Sequence, residues 1–168
     1  MQLRRKSAKK RASHLVNAIV KIKRSVSMSK KLVVAFVCVH NSCRSQMAEA
    51  MLKHIDPGLF DVYSAGTENY PEVKPGAVTV MEELGVDMSK HYPKLLTDIP
   101  RELDILITMG CNVQCPFVPH RFSEDWGLED PSGGPLDGFR ETRDTIRQKC
   151  EALIASVQAG TLPLSDTV

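Results

Sequence analysis

Aspartate and glutamate are missing from the first 31 residues, which carry eleven Lys or Arg. The rest of the chain holds eleven basic against twenty acidic residues, a net −9, so the overall charge of +2 conceals an acidic body. Such a body offers no general nucleic-acid surface. Long apolar runs are lacking too. Only His14 to Ile22 shows helical periodicity near the N-terminus, and it is too short and too charged to span a bilayer or serve as a signal-peptide core. Cysteine is sparse and odd in number, five in 168 residues. That count argues against a disulfide framework and for reactive thiols kept reduced in a cytoplasmic setting.

The length suits one compact domain plus a tail. Residues 1–31 read as a basic extension, either disordered or weakly helical, with Met28 a candidate alternative start. Residues 32–160 read as the domain and 161–168 as a flexible end. Leu32 to Val37 is a continuous apolar run suited to a strand buried on both faces of a parallel sheet. A helix is expected over about Ser45 to His54, with Met47, Ala48, Met51 and Leu52 on one face. Phe60 to Ser64 reads as a second strand. Pro75 opens a second helix with a Val78, Met81, Leu84 stripe before Gly85. Leu103 to Thr108 is a third strand, and a short fourth is expected near Trp126. The last helix spans about Leu136 to Val157, with Thr142, Ile146, Cys150, Leu153 and Val157 on one side. This βα alternation predicts a three-layer αβα domain around a parallel sheet of about four strands.

The chemistry concentrates where the first strand ends. Cys38-Val39-His40-Asn41-Ser42-Cys43-Arg44-Ser45 places a cysteine and an arginine six residues apart on a loop that runs straight into a helix. Consecutive backbone N–H groups of such a loop, joined by the helix's unpaired first-turn donors, form a nest for an anion. The same field and the Arg44 guanidinium favour a thiolate at Cys38. Arg44 suits the task because its planar fork holds two oxygens of a tetrahedral anion. Ser45 is the natural hydroxyl donor to the sulfur, and Asn41 the side chain expected to tie the loop's backbone together. Cys43 is either part of the site or packing beneath it. Cys111 and Cys115 admit three readings: a redox pair, two zinc ligands with His120 as a third, or an unremarked surface pair. Cys150 falls on the apolar stripe of the last helix and reads as packing.

The stretch Phe36 to Glu49 resembles the active-site loop of the low-molecular-weight tyrosine phosphatase superfamily, in particular its thioredoxin-coupled arsenate reductase branch. Tyr63-Ser64-Ala65-Gly66-Thr67-Glu68, Asp87-Met88-Ser89-Lys90-His91 and Trp126-Gly127-Leu128-Glu129-Asp130-Pro131 extend the likeness over residues 32–160. The resemblance implies Cys38 as nucleophile, Arg44 as oxyanion clamp, and the backbone from Val39 through His40, Asn41, Ser42 and Cys43 as the cradle. It also implies Asp130 as general acid, although Asp130-Pro131 read alone is a turn. It further implies that Cys111 and Cys115 carry electrons by disulfide exchange to thioredoxin or another thiol donor, without a bound cofactor. Arsenate and arsenite are then substrate and product, and a monomer is expected.

Two departures from that branch stand out. Only Asn112-Val113-Gln114 separates the two later cysteines, where the best-known pattern has six residues. Asn41, Glu49 and Ser64 match ligands of a potassium site found in some members, but Lys94 stands where a further carboxylate is supplied. A lysine ammonium paired with Glu49 replaces the ion in this reading, so no metal is expected. The alternative activity is hydrolysis of a phosphomonoester through phospho-Cys38. The shortage of aromatics, with none directly after Asp130-Pro131, leaves little to grip a phosphotyrosine ring. A non-catalytic oxyanion sensor is the minor alternative.

Overall fold

The computed structural model describes residues 30–110 and 117–166. The expectations for residues 1–29, for Cys111 and for Cys115 fall outside the described residues.

Strand β1 (Leu32–Cys38) is apolar along its length because it is buried between two neighbours. β2 (Phe60–Gly66) lies on one side and β3 (Leu103–Thr108) on the other, with β4 (His120–Asp125) beyond β3. All pairings are parallel. Successive side chains of β1 alternate between two cores, as the two-residue repeat of a strand requires. Val34, Phe36 and Cys38 join the larger core with the helices, whereas Ala35 and Val37 join a smaller one with Ile99, Leu103 and Leu106.

Among the described residues, three α-helices supply the larger layer: α1 (Arg44–Ile55), α2 (Pro75–Glu82) and α3 (Leu136–Ala159). Over the opposite core, the helical layer among the described residues is a single 3-10 turn, Leu96–Asp98, with Leu96 packed on it. The expected α/β architecture and four-stranded parallel sheet are therefore present. β4 ends one residue before Trp126, and its edge position explains why His120-Arg121-Phe122-Ser123-Glu124-Asp125 lacks an apolar pattern.

The helix faces differ in detail from the periodicity. α1 is buried continuously from Arg44 to Leu52, polar residues included, so it is encased rather than one-sided. α2 buries Ala77, Val80 and Met81, an i, i+3, i+4 set, while Val78 is only half-buried. On α3 the buried set is Phe139, Arg143, Ile146, Cys150 and Leu153. Arg143 displaces the expected Thr142 because its guanidinium is fully employed, donating to the Val80 carbonyl at 3.0 Å and pairing with Glu83 at 2.8 Å and Asp144 at 2.7 Å. Cys150 is packing, as expected: it is fully buried, and burial pushes its thiol up to about 12. Residues 161–166, expected as a frayed end, run back to β4. There the Ser165 amide donates to the Arg121 carbonyl at 3.0 Å, and Arg121 Nε donates to the Ser165 carbonyl at 2.7 Å.

Candidate active site

β1 delivers Cys38 to the C-terminal edge of the sheet, and the chain turns through residues 39–43 before α1 begins at Arg44. Three loop carbonyls are held on the outside of this turn. Val39 O accepts from the amides of Thr67 (2.8 Å) and Glu68 (2.9 Å), Ser42 O from the Lys74 amide (2.7 Å), and Asn41 O from Gln46 Nε2 (3.0 Å). In a trans peptide the N–H points opposite to its carbonyl. The N–H groups of His40, Ser42 and Cys43 are thereby turned to the concave side, where α1 adds its unpaired first-turn donors. The cavity they surround is about 100 Å³ and is lined by Cys38, Val39, His40, Ser42, Cys43, Arg44 and Asp130. β2 approaches this loop so closely that a Cβ on Gly66 would lie 2.6 Å from Val39 O, so only glycine fits there.

The sulfur of Cys38 has two donors. Asn41 N–H reaches it at 3.2 Å, and Ser45 Oγ lies 2.9 Å away. Asn41 Nδ2 donates to Ser45 Oγ at 2.8 Å, which leaves the hydroxyl's own hydrogen for the sulfur. Asn41 sits at φ +50°, a left-handed conformation that asparagine tolerates better than most residues. Its side chain does not tie the loop to itself, as expected from sequence. It ties the loop to α1 and to the chain ahead of the 3-10 turn, because Oδ1 accepts from Gln46 Nε2 (2.8 Å) and from the Lys94 amide (2.8 Å).

Gln46 and His91 support the loop and were not singled out from the sequence. Gln46 is fully buried; its amide nitrogen also donates to Tyr92 O at 2.7 Å, and its Oε1 lies 2.8 Å from His91 Nδ1. Because Gln46 Oε1 can only accept, His91 carries its proton on Nδ1, and burial pushes this imidazole toward the neutral form. The sequence carried no local signal for Gln46, which stands among the polar residues Arg44, Ser45 and Glu49 in the first turns of α1. Cys43 resolves as packing beneath the loop: burial, reinforced by the Asp130 charge, pushes its thiol up to about 12, and its backbone N–H is its contribution to the cradle.

Arg44 reaches across to the ends of β3 and β4. Nη1 donates to Met109 O (2.9 Å) and Leu128 O (2.6 Å), and Nη2 lies 3.3 Å from Asp130 Oδ2. Asp130, a turn residue by sequence alone, is thus brought to the rim of the same cavity. Burial would raise its carboxyl, but hydrogen bonding from Ser132 and the charges of Arg44 and Lys74 outweigh this and hold it below the usual range. An Arg44–Asp130 ion pair therefore lies at the rim of the cavity. His40, also on the rim, lies 3.3 Å from Glu68 Oε2 and packs tilted against Tyr70, with ring centroids 5.0 Å apart at 37°.

Asn41, Glu49, Ser64 and Lys94 converge behind the loop. Glu49 is buried and accepts from the Ser64 hydroxyl, from Lys53 at 2.6 Å and from Lys94 at 3.2 Å. Burial would raise its carboxyl, but these partners hold it below the usual range. Lys94 Nζ also donates to Tyr92 O at 3.1 Å. An ammonium fixed in this way supplies the positive charge that a bound cation would bring. Replacing potassium by sodium at constant ionic strength is therefore expected to leave the turnover rate within about twofold; a several-fold loss in a steady-state assay would show that Lys94 does not fill the role.

A cysteine sulfur at the floor of a backbone cradle, with an arginine beside it at the C-terminal edge of a parallel sheet, is an arrangement suited to binding an oxyanion. Residues 33–161 match the family model described as low molecular weight phosphotyrosine protein phosphatase, and the chain belongs to that family. It is 40% identical over 128 residues to the glutaredoxin arsenate reductase of a Synechocystis species, covering 74% of this chain and 97% of that one. A solved arsenate reductase in its phosphate-binding state superposes with a TM-score of 0.70 at 39% identity, covering 76% of this chain and 99% of the other. The Corynebacterium glutamicum thioredoxin-dependent arsenate reductase gives 0.67 at 36% identity, covering 79% of this chain and 64% of that one.

Proposed function

We propose that this protein reduces arsenate to arsenite, with Cys38 as nucleophile and Cys111 and Cys115 as the redox pair. The observation that carries the reading is the Cys38 sulfur, held by two donors on the floor of a cavity of about 100 Å³ under Arg44. Sites for drug-sized ligands are typically about 300–1,000 Å³, so this one suits a small bare oxyanion. The arsenate reductase relatives, at 36–40% identity, support the same substrate.

In this reaction arsenate enters the cradle and draws Arg44 onto its oxygens. Asp130 then loses its counter-charge and faces a second anion, both of which raise its affinity for a proton. The protonated carboxyl gives that proton to the departing oxygen as the Cys38 thiolate attacks arsenic, so water leaves and a Cys38 thio-arsenate adduct forms. The Cys111 thiolate attacks the Cys38 sulfur. The sulfur–arsenic electron pair passes to arsenic, which leaves as arsenite, and a Cys38–Cys111 disulfide remains. Attack by Cys115 on Cys111 frees Cys38 and leaves a Cys111–Cys115 disulfide. A dithiol donor then reduces that bond. A Cys-x3-Cys spacing permits the pair if the Cα atoms approach to about 4.4–6.8 Å.

Thioredoxin is the proposed donor, in line with the thioredoxin-dependent relative; the Synechocystis relative's name points to glutaredoxin instead. The protein is proposed to work as a cytoplasmic monomer, the compartment following from its need for reduced thiols. Among the described residues, no helix is long and apolar enough to cross a membrane. The test is arsenate-dependent NADPH oxidation coupled through thioredoxin and its reductase, run beside glutaredoxin with glutathione. Turnover in the thioredoxin arm is expected. Absence of arsenite in both arms would overturn the function, and turnover in the glutaredoxin arm alone would overturn the donor.

Hydrolysis of activated aryl phosphates is a side activity of the same site. Tyr70, tilted against His40 just outside the cavity, is the aromatic ring nearest the rim that could contact an aryl group.

A further inference from the structure

Asp125 lies outside the cavity at the end of β4, exposed, and neither touches the sulfur nor lines the cradle. Nevertheless, three donors converge on a single oxygen of its carboxylate: Gly110 N–H at 2.6 Å, Thr108 Oγ1 at 3.0 Å and Gly127 N–H at 3.2 Å. The carboxylate fastens the end of β3 to the segment that follows β4. The two backbones are already in close contact there. A Cβ on Gly110 would lie 2.8 Å from both Gly127 Cα and Leu128 N, and Gly110 adopts φ +79°.

Gly110 N–H belongs to the same peptide unit as the Met109 carbonyl, which is one of the two backbone acceptors of Arg44 Nη1. Because a trans peptide points these groups in opposite directions, fixing the N–H end also aims the carbonyl end. The other acceptor, Leu128 O, follows Gly127 by one residue. The result is a chain of hydrogen bonds running from carboxylate to amide to carbonyl to guanidinium, in which each bond polarises the next.

We propose that Asp125 is a positioning residue for the oxyanion clamp, acting on Arg44 through the Met109–Gly110 peptide. The inference rests on the reading that Arg44 holds the oxyanion, and deepens it by naming what holds Arg44. Asp125 is suited to the task. Although partial burial would raise its carboxyl, the hydrogen bonds from Gly127, Gly110 and Thr108 hold it below the usual range, so it is ionised at neutral pH. Without this carboxylate, the Met109 carbonyl is free to rotate and Arg44 meets the oxyanion in more than one orientation.

The test is inorganic phosphate binding to the full-length protein by titration calorimetry, with Asp125→Ala, Asp125→Ser and Asp125→Asn compared. Asparagine keeps an acceptor oxygen in place; alanine has none, and serine is too short to reach Gly110. Phosphate affinity is expected to fall roughly tenfold in the alanine and serine variants and to stay within about twofold of wild type in the asparagine variant. In aryl phosphate hydrolysis the same pair should raise KM more than it lowers kcat. A general loss of structure would instead lower the thermal midpoint without restoration by asparagine. Alanine and serine variants that bind phosphate within about twofold of wild type, or an asparagine variant as weak as alanine, would overturn the proposal. Arg44→Lys separates the two readings. If it binds phosphate as tightly as wild type, the assignment of Arg44 fails; if it loses affinity while Asp125→Ala does not, only the role of Asp125 fails.

Discussion

Cys38→Ser is expected to form no arsenite and to hydrolyse no aryl phosphate, a loss on the order of 10⁴-fold or more in either reaction. Phosphate binding is expected to survive within a few-fold. The two outcomes separate because they depend on different parts of the site. The cradle is organised by carbonyls fastened to Thr67, Glu68, Lys74 and Gln46, and by Arg44 held on Met109 and Leu128. None of these contacts involves the sulfur. Serine in the same place is a much weaker nucleophile, because an alcohol is far less acidic than a thiol and stays protonated near neutral pH. Calorimetry with phosphate and single-turnover arsenite formation measure the two quantities. Arsenite above the background rate in this variant would remove Cys38 from the mechanism.

Cys111→Ser should divide the activities. Attack on arsenic and hydrolysis of an aryl phosphate need Cys38, Arg44 and Asp130, whereas release of arsenite needs a second sulfur to take the bond from Cys38. The variant is expected to bind phosphate and hydrolyse aryl phosphate at rates within about twofold of wild type, and to reduce arsenate at least about a hundredfold more slowly. Replacing Cys115 instead should permit one turnover and leave a Cys38–Cys111 disulfide, which peptide mass mapping under non-reducing conditions would identify. Sustained reduction of arsenate by Cys111→Ser would refute the relay.

The sequence displayed those parts of the site that obey local rules. Leu32 to Val37 announced a central strand because both of its faces are buried. The Cys38-x5-Arg44 spacing announced a cradle because strand, loop and helix are contiguous. Lys94 and Glu49 were paired across forty-five residues only because the resemblance supplied a place for them, and their nitrogen and oxygen lie 3.2 Å apart. What stayed hidden depends on tertiary approach. Gln46 reads as an ordinary helical residue until Tyr92 and His91 are folded against it, and Asp125 reads as a polar end to a weak edge strand until Gly110 arrives beside it. β4 itself was faint for the same reason, since an edge strand is half solvated and need not alternate. Arg143 broke the apolar stripe of α3 because its partners are Val80 on α2 and Glu83 just past that helix's end.

Cys43 and Cys150 bear on how the chemistry can be followed. Both are buried, with thiols pushed up to about 12, so in the resting protein near neutral pH they stay protonated and unreactive. They are spectators to any reagent that titrates thiolates. Alkylation of the resting protein should therefore label Cys38 while leaving these two unmarked. Label lost after a pulse of arsenate would then report oxidation of working sulfurs alone, without interference from the two inert ones.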